Sequence, residues 1–297
     1  MMLPDLFPGF DTRMIAGDGA NLHVRIGGEG PPLVLLHGYP QCGVMWHRIA
    51  GDLAKRFTVI IPDLRGYGQS SVPKSSRGEG YSKRAMGNDI AAMMTRLGHD
   101  TFALAGHDRG GRVAYRMAFD HPGRLTKVAV LDILPTYDYW TQMDWISGLR
   151  MYHWLFLAQP EPLPETLISG ASRLYLEHTL AAWTETKSLA AFDPRALEHY
   201  RAFFDEPDRI HACCEDYRAG ATIDMELDTA DRAASRTIDV PLLAIWGARG
   251  LSPQGAAPLD VWRQWAPGAQ GVGVGAGHFV AEESPDGTLK ALQEFLA

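Results

Sequence analysis

The chain has 297 residues, enough for one large α/β domain carrying an insertion or for two domains, and folding at this size buries roughly 75% of the unfolded surface. Hydrophobic residues make up 46% and charged residues 21%, which excludes a disordered or fibrous chain. A net charge of −7 sets the molecule against phosphate backbones and anionic lipid, so neither nucleic acid nor membrane is an expected partner, and an anionic ligand must be drawn in by a few local cations. Of the three cysteines, Cys213 and Cys214 are adjacent and Cys42 is distant, so no disulfide or zinc framework can be read. The start MMLPDLFPGFDTRM has no basic stretch followed by an apolar one, and no run approaches ~18 apolar residues, so a cytoplasmic location is expected.

Residues 32–36 (PLVLL), 58–61 (TVII), 102–105 (FALA), 127–131 (KVAVL) and 241–246 (PLLAIW) are short apolar runs bounded by Gly, Pro, Asp or His. They predict strands buried on both faces, as in a parallel sheet with crossover helices. Residues 83–97 and 110–119 space apolar side chains at helical period, and Pro122 closes the second stretch. Between about Tyr139 and Met225 the strand-like runs vanish, and aromatic and aliphatic residues crowd segments such as MDWISGLRMYHWLFLA. This predicts a helical cap, residues 139–225, inserted between core segments 1–138 and 226–297. The strand signal returns at Pro241, followed by the Gly-rich VGVGAGHF and a last amphipathic helix in SPDGTLKALQEFLA. The pattern is that of a doubly wound, mostly parallel α/β sheet, with ligand pockets favoured where core and cap meet.

The run FALAGHDRGGR concentrates the chemistry. Gly106, Asp108 and Gly110 form a small-x-nucleophile-x-small pattern between a strand and a helix, the context of a nucleophile elbow. Glycines suit the tight turn because side chains there would meet the neighbouring elements. The central Asp108 is ionised at pH 7 and can attack carbon directly, with helix N-terminal amides expected to hold its charge. An Asp at this turn could also be only an N-cap. A covalent ester would further need a water-activating base, an orienter for it, and donors for the oxyanion. His278, in GAGHFV after the last strand, stands where hydrolases of this chain order keep the base. The acid is absent from the turn WGARG, where position 250 is Gly250, so Asp132, directly after KVAVL, is the expected orienter. In HGYP, after PLVLL, the amide of Tyr39 is expected to pair with that of Arg109 as oxyanion donors, and His37 to shape the turn.

These residues resemble a family, the α/β-hydrolase-fold dehalogenases and epoxide hydrolases, and within it the fluoroacetate (haloacetate) dehalogenases. The resemblance covers essentially the whole chain, through DLFPGF, LLHGYPQ, MWHR, PDLRGYGQS, AGHDRGGR, VLDILPTY, YHWLFLAQP, CEDYRAG and GHF. The fold it implies is the α/β-hydrolase fold with an inserted cap. Where epoxide hydrolases and haloalkane dehalogenases usually carry Trp, this chain has Arg109, with Arg112 one turn on. Cations at a helix N-terminus cost roughly 0.3 to 1 kcal/mol unless an anion sits beside them, and two on one face would make a fork for a carboxylate. The resemblance further implies that His153, Trp154 and Tyr217 donate to a departing halide and that Trp183 lines the same pocket. A donor aimed at developing charge is worth roughly 3 kcal/mol.

The expected reaction is hydrolysis of a small 2-haloacid such as fluoroacetate to the hydroxy acid plus halide, with no metal or organic cofactor; a homodimer is implied by the resemblance. An epoxide hydrolase would use the same Asp and His with paired cap tyrosines. A haloalkane dehalogenase would want an apolar pocket without Arg109, and a non-catalytic hydrolase-fold binder would have lost a member of the triad, which this chain keeps.

Overall fold

The structure, a computed structural model, describes residues 3–249 and 257–297. Eight strands form one sheet: β1 (Asp11–Ala16), β2 (Asn21–Gly27), β3 (Pro32–Leu36), β4 (Thr58–Pro62), β5 (Phe102–His107), β6 (Leu125–Leu131), β7 (Leu242–Gly247) and β8 (Gln270–Val274). Their spatial order is β1-β2-β4-β3-β5-β6-β7-β8, with β1, β2 and β4 pairing antiparallel and the rest parallel. The order reverses at β3, so the chain winds outward both ways from the centre of the sheet. The five apolar runs read from sequence are β3 to β7. Every residue of β5 is buried, which is why its sequence is a continuous apolar run rather than an alternating one.

The helix Lys83–Arg96 packs on the helix Arg109–Asp120, which lies against β5 and β6. A second pair, His47–Leu53 and Pro285–Leu296, packs together, and Pro285–Leu296 reaches β7 and β8. Between β6 and β7 the described elements are all helical, running from the helix Thr136–Thr141 to the helix Ile223–Ala233. No helix among the described residues is long and apolar enough to cross a membrane. Position 250, read from the sequence as the vacated acid site, lies outside the described residues.

The topology gathers chemistry at one edge. Tyr39 follows β3, Asp108 follows β5, Asp132 follows β6 and His278 follows β8, so all four stand beyond the carboxyl ends of parallel strands.

Candidate active site

Asp108 has φ +48° and ψ −118°, a conformation in which a non-glycine residue carries about 1–3 kcal/mol of strain. The glycines around it are sterically required. A Cβ on Gly106 would overlap the Gly110 carbonyl, one on Gly110 the His37 carbonyl, and one on Gly38 the Asp108 side chain itself. The turn thrusts the carboxylate towards the loop after β3, where Oδ1 accepts the Tyr39 N–H at 2.8 Å. The expectation of support from its own helix needs correction: the side chain takes no capping hydrogen bond there, and the backbone carbonyl of Asp108 accepts Arg112 N–H instead. Burial alone would raise the Asp108 pKa. His278, His107 and the guanidiniums of Arg109 and Arg112 outweigh it and hold the carboxyl below its ordinary value.

His278 is buried, with Nδ1 2.7 Å from Asp132 Oδ2. A carboxylate only accepts, so Nδ1 carries a proton, and in the neutral ring the Nε2 lone pair faces Asp108 Oδ2 at 3.9 Å. Among the described residues Nε2 has no other partner. Asp132 is itself fixed: its Oδ1 accepts Gly247 N–H at 3.0 Å, and its own N–H donates to the Ile245 carbonyl. Burial would lower the His278 pKa, but the bond and charge of Asp132, then the charge of Asp108, raise it above 6.5. Glu283 braces the loop, its carboxylate accepting the N–H groups of Gly277, Phe279 and Glu185, while His278 N–H donates to the Trp183 carbonyl.

Arg109 and Arg112 are 0% and 1% exposed, so they do not form a solvated basic face. They differ in partners. Arg109 is ion-paired to Asp216, Nε at 3.0 Å and Nη2 at 2.5 Å from Oδ1, leaving Nη1 unpartnered. Arg112 donates only to neutral oxygens, Leu134 O at 2.9 Å and Thr136 Oγ1 at 3.1 Å, and its Nε is unpartnered. No carboxylate forms a salt bridge with Arg112 among the described residues. Its guanidinium stands 4.4 Å from the Trp154 ring centroid and 4.8 Å from that of Tyr139, and Arg109 lies 4.2 Å over Tyr217. The two cations thus share an aromatic box beside Asp108.

The aromatic residues singled out from the sequence form one wall. His153 meets Trp183 at 4.4 Å and Tyr217 at 5.6 Å between centroids; Tyr217 meets Trp154 at 5.7 Å and Tyr39 at 5.2 Å; Trp183 reaches His278 at 5.3 Å. His153 Nδ1 and Tyr217 Oη are buried without partners among the described residues. Burial lowers the His153 pKa to about 3, so its imidazole is neutral. His37 shapes its turn, with Nδ1 against Gly38 O and Nε2 accepting Leu64 N–H.

Sequence reasoning passed over Asp216, Lys83, Tyr67 and Glu283. Asp216 stands inside the segment CEDYRAG, but nothing in the spacing showed that its partners would come from residues 67, 83 and 109, on separate loops and helices.

The alpha/beta hydrolase fold family matches residues 31–285. The chain is 41% identical to a fluoroacetate dehalogenase from Burkholderia sp, over 98% of this chain and 95% of that protein. It is 32% identical to a soluble epoxide hydrolase from Corynebacterium sp., over 94% and 95%. A Nostoc sp PCC 7120 structure described as an alpha/beta hydrolase superposes with TM-score 0.93 at 44% identity, over 97% of this chain and 98% of the other. Motif, fold and relatives agree: the chain is a hydrolase that belongs to the α/β-hydrolase fold family and resembles fluoroacetate dehalogenase among its members.

Proposed function

We propose that the protein hydrolyses a small 2-haloacid, fluoroacetate first among them, to the 2-hydroxy acid and halide through an ester on Asp108. The observation that carries this reading is Arg112, a buried guanidinium beside Asp108 with no carboxylate of its own among the described residues. A buried cation lacking an anion costs several kcal/mol. A substrate carboxylate placed against Arg112 Nε and Arg109 Nη1 would recover that cost and fix the far end of the acid.

In the first step an oxygen of Asp108 attacks the halogenated carbon, the carbon–halogen bond breaks, and the halide leaves towards His153, Trp154 and Tyr217. The neutral His153 ring and the phenol are donors without competing partners. Esterification removes the Asp108 charge, one of the causes raising the His278 pKa, so the base gains lone-pair character when it is needed. His278 Nε2 then takes a proton from water as the water attacks Asp108 Cγ. The oxyanion forms on the oxygen that Tyr39 N–H already contacts, and its collapse breaks the ester C–O bond: the leaving alkoxide takes the proton held by His278 to give the hydroxy acid, and the Asp108 carboxyl returns to a carboxylate by losing its proton to solvent. In this reading the helices between β6 and β7, residues 139–225 in the division read from sequence, act as the cap, and Trp183 ties that cap to the base. By similarity to the family we include a homodimer, to be read by sedimentation against the 32.7 kDa chain mass.

Halide release from fluoroacetate, chloroacetate and a haloalkane, measured beside diol formation from an epoxide, tests the reading. The haloacids should turn over, and Arg112→Leu should lower their kcat/KM by ~10²-fold or more. Faster turnover of the epoxide would favour an epoxide hydrolase using the same Asp108 and His278.

A further inference from the structure

Asp216 is the most heavily bonded carboxylate outside the triad. It is fully buried on the helix Pro207–Ala221, and it accepts from three groups on separate parts of the core: Arg109 Nε and Nη2, Lys83 Nζ, and Tyr67 Oη at 2.7 Å. Its backbone carbonyl takes a further bond from Arg109 Nη2 at 2.6 Å. Lys83, at the start of the helix Lys83–Arg96, also lies 3.3 Å from Asp224, so the charges Lys83, Arg109, Asp216 and Asp224 balance in pairs. One turn after Asp216, Gly220 leaves room for the guanidinium: a Cβ there would stand 3.1 Å from Arg109 Nη2.

Four of Arg109's five N–H bonds belong to Nη1 and Nη2 and one to Nε. Asp216 engages Nε and Nη2, so the plane of the fork is set by the helix Pro207–Ala221 and only the Nη1 edge is open. A flexible arginine loses affinity through the entropy of ordering its side chain, and one already ordered does not.

Building on the haloacid reading above, we propose that Asp216 is a positioning residue: by locking the Arg109 fork against the helix Pro207–Ala221, with Lys83 and Tyr67 locking Asp216, it sets the edge on which the substrate carboxylate is received. Asp216 acts on binding of the acid rather than on the carbon–halogen bond. Its loss should therefore raise KM and leave kcat nearly untouched, whereas general loosening of the site would lower kcat as well.

The experiment compares wild type with the charge-balanced double variant Lys83→Met, Asp216→Asn and with Gly220→Ala, which keeps every charge and presses on Nη2. Each is checked for fold by thermal melting and assayed for KM and kcat on chloroacetate. The double variant is expected to raise KM by ~10–100-fold with kcat within about threefold, and Gly220→Ala to raise KM by several-fold. A folded double variant with wild-type KM overturns the proposal. If the double variant does not fold, Gly220→Ala decides, and its wild-type KM overturns the proposal equally. Acetate, which cannot react, separates this claim from the assigned chemistry when its binding is measured by calorimetry. Should wild type release no halide yet bind acetate, with the variants binding it more weakly in the same ratio, the positioning role stands and the reaction assignment falls. A wild type that neither turns over haloacids nor binds acetate overturns both.

Discussion

At the scale of single residues, the site works through groups denied their usual partners. Among the described residues His153 Nδ1, Tyr217 Oη, Arg112 Nε and His278 Nε2 are all buried without hydrogen-bond partners, an expense that the proposed ligand would offset. Tyr217→Phe removes one donor and little volume, so it should slow fluoride release by ~10²-fold or more and chloride release less, because fluoride concentrates more charge on departure. Equal slowing of the two in a halide assay would contradict a donor role. The titration of His278 carries a sign that can be checked. Its imidazole should titrate above 6.5 in the free protein, followed by NMR, because Asp132 and Asp108 favour the charged ring. Ester breakdown requires the neutral ring, so its rate should fall as pH drops, with a midpoint below that of the free protein, since the ester no longer carries the Asp108 charge. A midpoint above it would contradict the assigned order of steps. Asp108 and His278 could be read from sequence because each stands in a short, glycine-marked turn. Asp216 could not, since its meaning lies in contacts made 107 to 149 positions away.

At the scale of elements, strand ends and glycines do the positioning. Gly106→Ala would drive a methyl into the Gly110 carbonyl, so denaturant unfolding should show a loss of about 1–3 kcal/mol. An unchanged midpoint would mean that the turn relaxes freely and that the elbow has no steric need of glycine. The five interior strands were legible because burial on both faces makes an apolar run; β1, β2 and β8 were not. β1 is exposed along nearly its whole length, and β8 spells QGVGV, in which glycines stand where bulky residues would mark a strand. Residues 110–119 and 83–97 differ from the observed helices by a residue or two, the usual uncertainty at a cap.

At the scale of the whole molecule, the seam between the sheet and the helices of residues 136–233 holds several buried ionisable groups, and one of them should make stability depend on pH. Glu282, four residues past His278, is buried against Gln41 and Tyr200, with Arg48 and Glu283 nearby; burial pushes its pKa to about 8 from 4.5. The folded protein then keeps a proton that the unfolded chain gives up, so stability should fall as pH rises between about 4.5 and 8. Glu282→Gln keeps the accepting oxygen and should flatten that fall in urea unfolding at about pH 5 and pH 8; an equally steep fall in the variant would contradict it. The net charge of −7 pointed to local cations as the only route for an anionic ligand, the part proposed above for the buried arginines beside Asp108. What most directly tests the central claim is a single turnover of fluoroacetate in ¹⁸O water with protein in excess. The first hydroxy acid released should carry an unlabelled oxygen taken from Asp108, with label entering the protein; labelled product in that first turnover would show that water, not Asp108, attacks the carbon.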